Sequence, residues 1–193
     1  MGSIKSERQL VRDIITDSFL GNPSVMDAVG NSGNTTQKIS ALADYAYKTC
    51  KRRNGVFLSS DSNGVALCYR YNSHKESISD YWNQFLLVIQ CTGLRKALKL
   101  LKKDGYIKLQ RPADGDFLYF WFFGVSATGR GQGAALELKD QIFEMARADQ
   151  LPIYLETSVE RNKRIYERYG FRVYHFWPAH GLYFMVNDQF AKK

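Results

Sequence analysis

Val125-Ser126-Ala127-Thr128-Gly129-Arg130-Gly131-Gln132-Gly133-Ala134-Ala135 is the stretch on which the fold turns. It follows an aromatic, β-like run over 117–125 and opens a helical pattern over 134–149, in which Leu136, Ile142, Phe143 and Met145 are expected as core contacts. A glycine-rich turn between a strand and a helix aims unpaired backbone N–H groups at one point, with the positive helix end behind them. Glycines at 129, 131 and 133 let the main chain approach an anion with no Cβ in the way. Arg130 adds a permanent cation. The pattern reads as a pyrophosphate cradle.

Three kinds of cradle compete for these residues. A nucleoside-triphosphate loop ends in Gly-Lys-Ser/Thr, and here Gly133 is followed by Ala134-Ala135, so the lysine and the metal-binding hydroxyl are missing. A dinucleotide fingerprint fits better, as Gly129-x-Gly131-x-x-Ala134 with Glu156 at the end of the next strand. Against it stands the short remainder of the chain, too short for the further crossover units of a doubly wound sheet. The third kind emerges from the rest of the second half.

Downstream, 153–156 reads as a short strand after Pro152, 162–169 as a helix stopped by Gly170, and 171–177 and 182–186 as two strands joined around Pro178 and Gly181. Upstream, 24–29 reads as a short helix inside a turn-rich stretch. A helix over 36–53 carries Ile39, Leu42, Ala43, Ala46 and Cys50 at helical spacing. A hairpin follows, with strands 56–58 and 65–69 around Asp61-Ser62-Asn63-Gly64. Residues 78–103 read as a helical insertion broken near Thr92-Gly93. Leu94, Ala97, Leu98 and Leu101 form its apolar stripe, and Arg95, Lys96, Lys99, Lys102 and Lys103 are expected on its solvated faces. The order implies an α+β (α/β three-layer) domain, a sheet with helices on both faces.

The chain has 193 residues, 45% hydrophobic and 24% charged, which suits one globular domain over 1–193 and excludes intrinsic disorder. The longest apolar run, 117–125, is too short to span a bilayer. The N-terminus has no charged-then-apolar leader pattern. Cys50, Cys68 and Cys91 are too few and scattered for a disulfide framework or a zinc site and read as reduced thiols, so a cytoplasmic protein is expected. The net charge of +8 favours an anionic partner.

Arg130-Gly131-Gln132-Gly133-Ala134-Ala135 resembles the Arg/Gln-x-x-Gly-x-Gly/Ala motif of the GNAT superfamily of N-acetyltransferases. Asn162-Lys163-Arg164-Ile165-Tyr166-Glu167-Arg168-Tyr169-Gly170-Phe171 resembles that family's second signature, an asparagine opening a helix that runs into Tyr-x-x-x-Gly-Phe. Leu155-Glu156-Thr157-Ser158 is similar to its small-molecule branch. The likeness covers 117–186. It implies a mixed, mostly antiparallel sheet with two splayed parallel strands, 117–125 and 153–156, and acetyl-coenzyme A between them as co-substrate, with no metal.

Residue by residue, the resemblance implies that the backbone of Arg130, Gly131, Gln132, Gly133, Ala134 and Ala135 holds the pyrophosphate. The main chain around Phe123 to Val125 pairs with the pantetheine arm, the Val125 N–H faces the thioester carbonyl, and Asn162 contacts the arm. Direct attack by an amine, through a tetrahedral intermediate, needs an acid for the leaving thiolate and a base for the amine. Tyr166 is the expected acid. Glu156, at the end of the strand lining the cleft, is the candidate base, with His175 or a relayed water as alternatives. His74 and His180 fall in loops and read as surface residues.

A primary amine of a small molecule is the expected acceptor. A protein amine, or a non-catalytic acyl-coenzyme A sensor built on the same cleft, are the alternatives. Tyr81, Trp82, Phe85, Trp121 and Trp177 fit an acceptor pocket as well as a core. Coenzyme A is itself polyanionic, so the positive charge does not call for nucleic acid. No membrane association is expected, and a homodimer is compatible with the sequence.

Overall fold

A computed structural model describes residues 5–29, 33–73 and 94–192. The elements run α1 Glu7–Phe19, α2 Pro23–Val29, α3 Thr35–Lys51, β1 Val56–Leu58, β2 Gly64–Arg70, α4 Leu94–Leu109, β3 Leu118–Val125, α5 Ala134–Asp149, β4 Ile153–Thr157, α6 Glu160–Arg168, β5 Arg172–Trp177 and β6 Leu182–Asn187. The strands of the described residues form one sheet in the order β1-β2-β3-β4-β6-β5. Every neighbouring pair is antiparallel except β3 and β4.

The two faces of the sheet follow from strand periodicity. Val65, Leu67 and Tyr69 of β2 point to one side, against Val11, Ile14 and Ile15 of α1 and Ala43, Ala46 and Cys50 of α3. Ala66 and Cys68 point to the other, in one cluster with Leu138, Ile142 and Ala146 of α5 and with Leu155 of β4 and Met185 of β6 further along the sheet. Both faces are covered, so β2 is apolar along almost its whole length instead of alternating. Burial pushes the thiols of Cys50 and Cys68 above their ordinary pKa and keeps them protonated.

A bulge shapes the centre of the sheet. Leu67 faces Phe122 while Cys68 faces Phe120, so Trp121 is the extra residue on β3. The alternation of β3 flips there: Tyr119 and Phe122 share the α1–α3 face, and Leu118 and Phe120 the α5 face. Pairing of β3 with β4 is confined to Leu118 with Ile153 and Tyr119 with Tyr154. β3 therefore parts from β4 at the bulge, and among the described residues the edge of β3 facing β4 has no strand partner from Phe120 onward.

Helix α1 has no counterpart in the sequence expectations. Its apolar residues are interleaved with charges, but Ser6 caps it by accepting from Gln9 N–H. Helix α6 starts at Glu160, two residues before its expected start. Leu136 is not a core residue. It is 53% exposed, because the buried stripe of α5 runs through Ala134, Leu138, Ile142 and Ala146 at a spacing of four. Helix α4 continues to Leu109, beyond the expected end at 103, since Tyr106 and Ile107 extend its apolar side across Gly105. The part of the insertion over 78–93, with Tyr81, Trp82, Phe85 and Cys91, lies outside the described residues, as does His74. Among the described residues no helix is long and apolar enough to cross a membrane.

Candidate active site

The glycine loop is held by the opposite hairpin. Ser126 N–H donates to Asn63 O at 2.8 Å, and the Ser126 and Thr128 hydroxyls both reach Asn63 Oδ1 at 3.0 Å. Gly129 is glycine for packing, because a Cβ there would collide with Asn63 Cβ. Gly131 and Gly133 are glycine for conformation. Their φ values are 81° and 91°, and a Cβ on either would meet nothing within 4 Å. Among the described residues nothing folds over Gly131 or Gly133. Among the described residues, the N–H groups of Arg130, Gly131, Gly133, Ala134 and Ala135 find no protein acceptor, whereas Gln132 N–H turns back to Gly129 O at 3.2 Å. Five orphan donors at the start of α5, with the exposed Arg130 beside them, form a built anion cradle. The diphosphate of coenzyme A fits this donor set.

From the cradle a groove runs into the gap between β3 and β4. Since Ser126 N–H points to the β2 side, alternation turns the main-chain groups of Val125 and Phe123 toward the gap. Ser18 of α1 donates to Val125 O at 3.2 Å and steadies that strand end. The outer part of the groove, about 770 Å³, is lined by Ser18, Phe123, Val125, Arg130, Arg161, Asn162 and Tyr166 among others. The inner part, about 330 Å³, is walled by Trp121, Phe122, Leu42, Glu156, Ile107 and Leu182 among others. Asn22, Phe123, Ser158, Asn162 and Tyr166 line both, so the two spaces meet at the splay. Ser24 Oγ donates to Ser158 Oγ at 2.6 Å and ties α2 across the junction.

Tyr166 sits at the meeting point. Its ring packs edge-on against Phe120 and Phe171, at centroid distances of 6.1 and 5.6 Å. Burial, with a smaller contribution from Tyr169, pushes its phenol well above the ordinary value. The hydroxyl has no partner among the described residues, so it is a protonated donor open to the groove.

Glu156 lines the inner cavity, but its carboxylate is engaged. Arg111 donates Nε to Oε1 at 2.9 Å and Nη2 to Oε2 at 3.1 Å, and Tyr119 Oη donates to Oε2 at 3.0 Å. The Arg111 guanidinium also lies 3.8 Å from the centre of the Tyr119 ring. This clamp holds the Glu156 carboxylate in place and leaves Oε1 one open acceptor site. Arg111 was invisible in the sequence, standing alone at a helix end. His175 is outside the cavity wall, with Nε2 2.8 Å from the Tyr106 hydroxyl. Trp177 packs on Tyr106 at 4.0 Å, and His180 on Trp177 at 4.1 Å. Of the aromatics considered for an acceptor pocket, Trp121 lines it.

Helix α4 contributes two residues the sequence reading placed elsewhere or passed over. Lys103 is not solvated. Its side chain is 15% exposed, lines the cavity and pairs with Asp27 at 2.9 Å. Asp104 also lines the cavity, with one oxygen 3.0 Å from Lys108. Among the described residues no group of three or more His, Cys, Asp or Glu gathers in metal-binding geometry.

No family profile matches the chain. A curated sequence relative is an uncharacterized N-acetyltransferase of Schizosaccharomyces pombe, 31% identical over 102 residues. That match spans 53% of this chain and 36% of the relative. Among solved structures, one titled histone acetyltransferase HPA2 and related acetyltransferase, from Corynebacterium glutamicum, superposes with a TM-score of 0.66 at 17% identity, covering 97% of this chain and 93% of its own. Arylalkylamine N-acetyltransferase 2 of Aedes aegypti gives 0.60 at 17% identity, covering 95% of each chain. The C-terminal condensation domain of Ebony, in complex with beta-alanyl-dopamine, gives 0.63 at 15%, covering 93% of this chain and 92% of its own. The parallel pair in a mostly antiparallel sheet, the helices on both faces and these superpositions bear out the likeness that the two motifs carried: the chain has the fold of the GNAT acetyltransferases.

Proposed function

We propose that this chain transfers an acetyl group from acetyl-coenzyme A to a primary amine of a small molecule. The carrying observation is the continuity of the groove: an open cradle of main-chain donors at one end, an aromatic-walled cavity at the other, and Tyr166 where they meet. A catalyst that joins a long anionic carrier to a compact acceptor needs that arrangement.

Acetyl-coenzyme A supplies the activated thioester when bound. As the C–N bond forms, the C–S bond breaks; the ammonium gives up two protons and keeps the third as the amide N–H, the thiolate takes up one proton, and one is released to solvent. The residues of this chain hold the parts in place. The N–H groups of Arg130, Gly131, Gly133, Ala134 and Ala135 bind phosphate oxygens. The Phe123 and Val125 main chain and the Asn162 amide orient the arm. The Val125 N–H is a fixed dipole for a developing oxyanion. Tyr166 Oη holds the proton for the sulfur, and its raised pKa keeps that proton in place at neutral pH.

Calorimetry and thermal unfolding with coenzyme A and acetyl-coenzyme A test binding, and free-thiol release with an amine panel tests transfer. Binding of both carriers, with thiol release only when an amine is present, is expected. Absence of binding overturns the reading. Binding without amine-dependent thiol release turns it into the sensor reading.

A further inference from the structure

The inner cavity carries information about what enters it. Its walls are dominated by ring and branched apolar side chains, among them Phe19, Trp121, Phe122, Leu42, Ile107 and Leu182. At about 330 Å³ it stands at the small end of ligand sites. Among the described residues, α1, α2, α3 and α4 contribute to its walls together with β3, β4 and β6.

The charged groups in this wall are Lys103, Asp104 and Glu156, and each has an ion-pair partner. Lys103 is neutralised by Asp27. Glu156 Oε2 accepts two hydrogen bonds, but Oε1 accepts one and keeps a second acceptor site. Asp104 Oδ2 faces Lys108, and Asp104 Oδ1 has no partner among the described residues. Two cavity-lining carboxylates on different elements, β4 and α4, thus each keep an acceptor site open. An ammonium has three donors and no acceptor, which matches that set. An aromatic wall favours an aromatic or similarly flat body, through edge-on ring contacts and burial of apolar area.

We propose that the acceptor is a compact primary amine on an aromatic or similarly flat apolar body, docked by its ammonium on Glu156 Oε1 and Asp104 Oδ1. The inference rests on the acetyltransferase reading and narrows it. A long polyamine would bring further cations to a cavity whose remaining charged wall residue, Lys103, is already paired with Asp27 and offers them no anion.

The test is steady-state kinetics at saturating acetyl-coenzyme A with 2-phenylethylamine, spermidine and a lysine-containing peptide. A kcat/KM for 2-phenylethylamine at least tenfold above the other two is expected. Preference for spermidine or the peptide overturns this inference and leaves the acetyltransferase reading standing. Consumption of none of a broad amine panel, with coenzyme A still bound, removes both. Two variants check the docking. Asp104→Asn is expected to raise KM for 2-phenylethylamine about tenfold with acetyl-coenzyme A affinity unchanged. Leu101→Trp, at a cavity residue 40% exposed, is expected to depress use of 2-phenylethylamine more than that of methylamine. Unchanged kinetics in both, with native thermal stability, overturns the assignment.

Discussion

Arg111 and Glu156 meet in a two-point ion pair, 2.9 and 3.1 Å long, in the wall of the inner cavity, although they stand 45 residues apart in the chain. Both side chains are almost fully buried, at 6% and 8% exposure. Removing one partner of such a pair strands the other's charge in a medium that solvates it poorly, at a cost of about 3–5 kcal/mol. Arg111→Met is therefore expected to lower unfolding stability by about that amount, as read by urea denaturation. Adding Glu156→Gln to the same chain is expected to restore much of the loss. If the single variant is as stable as the parent, the pair is not a structural clamp.

Tyr166→Phe removes one oxygen and leaves the ring against Phe120 and Phe171. A general acid contributes about 10²–10⁴-fold to rate in typical cases. Turnover is expected to fall at least tenfold, with coenzyme A affinity and thermal stability unchanged. Single-turnover rates and calorimetry on the same preparation separate these quantities. Undiminished turnover would take the proton-donor role away from Tyr166.

The three loop glycines are expected to respond differently to alanine. At Gly131 and Gly133 the space is open and the backbone is left-handed, so alanine costs about 1–2 kcal/mol of local strain. Because the strain is relieved by moving the donors, coenzyme A binding is expected to weaken while the fold survives. At Gly129 alanine meets Asn63 and pries the loop from the hairpin, so loss of thermal stability is expected there. Circular dichroism melts beside binding isotherms distinguish the two patterns.

The α1–α3 joint is expected to weaken in acid. Asp44 lies between Arg8 and Lys48, and its hydrogen bonds to Arg8 hold its carboxyl down to about 2, from an ordinary 3.8. A folded-state value below the unfolded one means that the stabilisation is fully present above pH 3.8 and disappears as pH falls through about 2. Asp44→Asn is expected to flatten the stability profile between those values and to lower stability at pH 7. Denaturation midpoints across the acid range provide the check.

The parts of the molecule legible in the sequence are those whose causes are local. The glycine loop, the hairpin turn and helix α5 each announce themselves within a dozen residues, and the two motifs joined them into a fold. Helix α1 was passed over, though Ser6 and Gln9 form a capping pattern just ahead of Leu10 and Val11. The partners of the site residues were hidden because sequence spacing carries no record of them. Arg111 reaches Glu156 only after β3 and β4 are laid side by side, and Asn63 meets the glycine loop only once β2 pairs with β3. The bulge at Trp121 left no mark either, since a run of aromatic residues looks the same with or without an extra member. Lys103 was read from its charge, which points to solvent, while its neighbours in space turned it inward toward Asp27.

The bulge at Trp121 has a further effect away from catalysis. By releasing β3 from β4, it leaves an aromatic strand edge whose main-chain donors and acceptors have no strand to pair with among the described residues. Such an edge invites any extended chain to add itself, including a second misfolding copy. A ligand arm lying along the gap would cover the same groups, so the colloidal behaviour of the purified protein and its ligation state are coupled, and preparations kept with coenzyme A should stay dispersed at concentrations where ligand-free ones cloud.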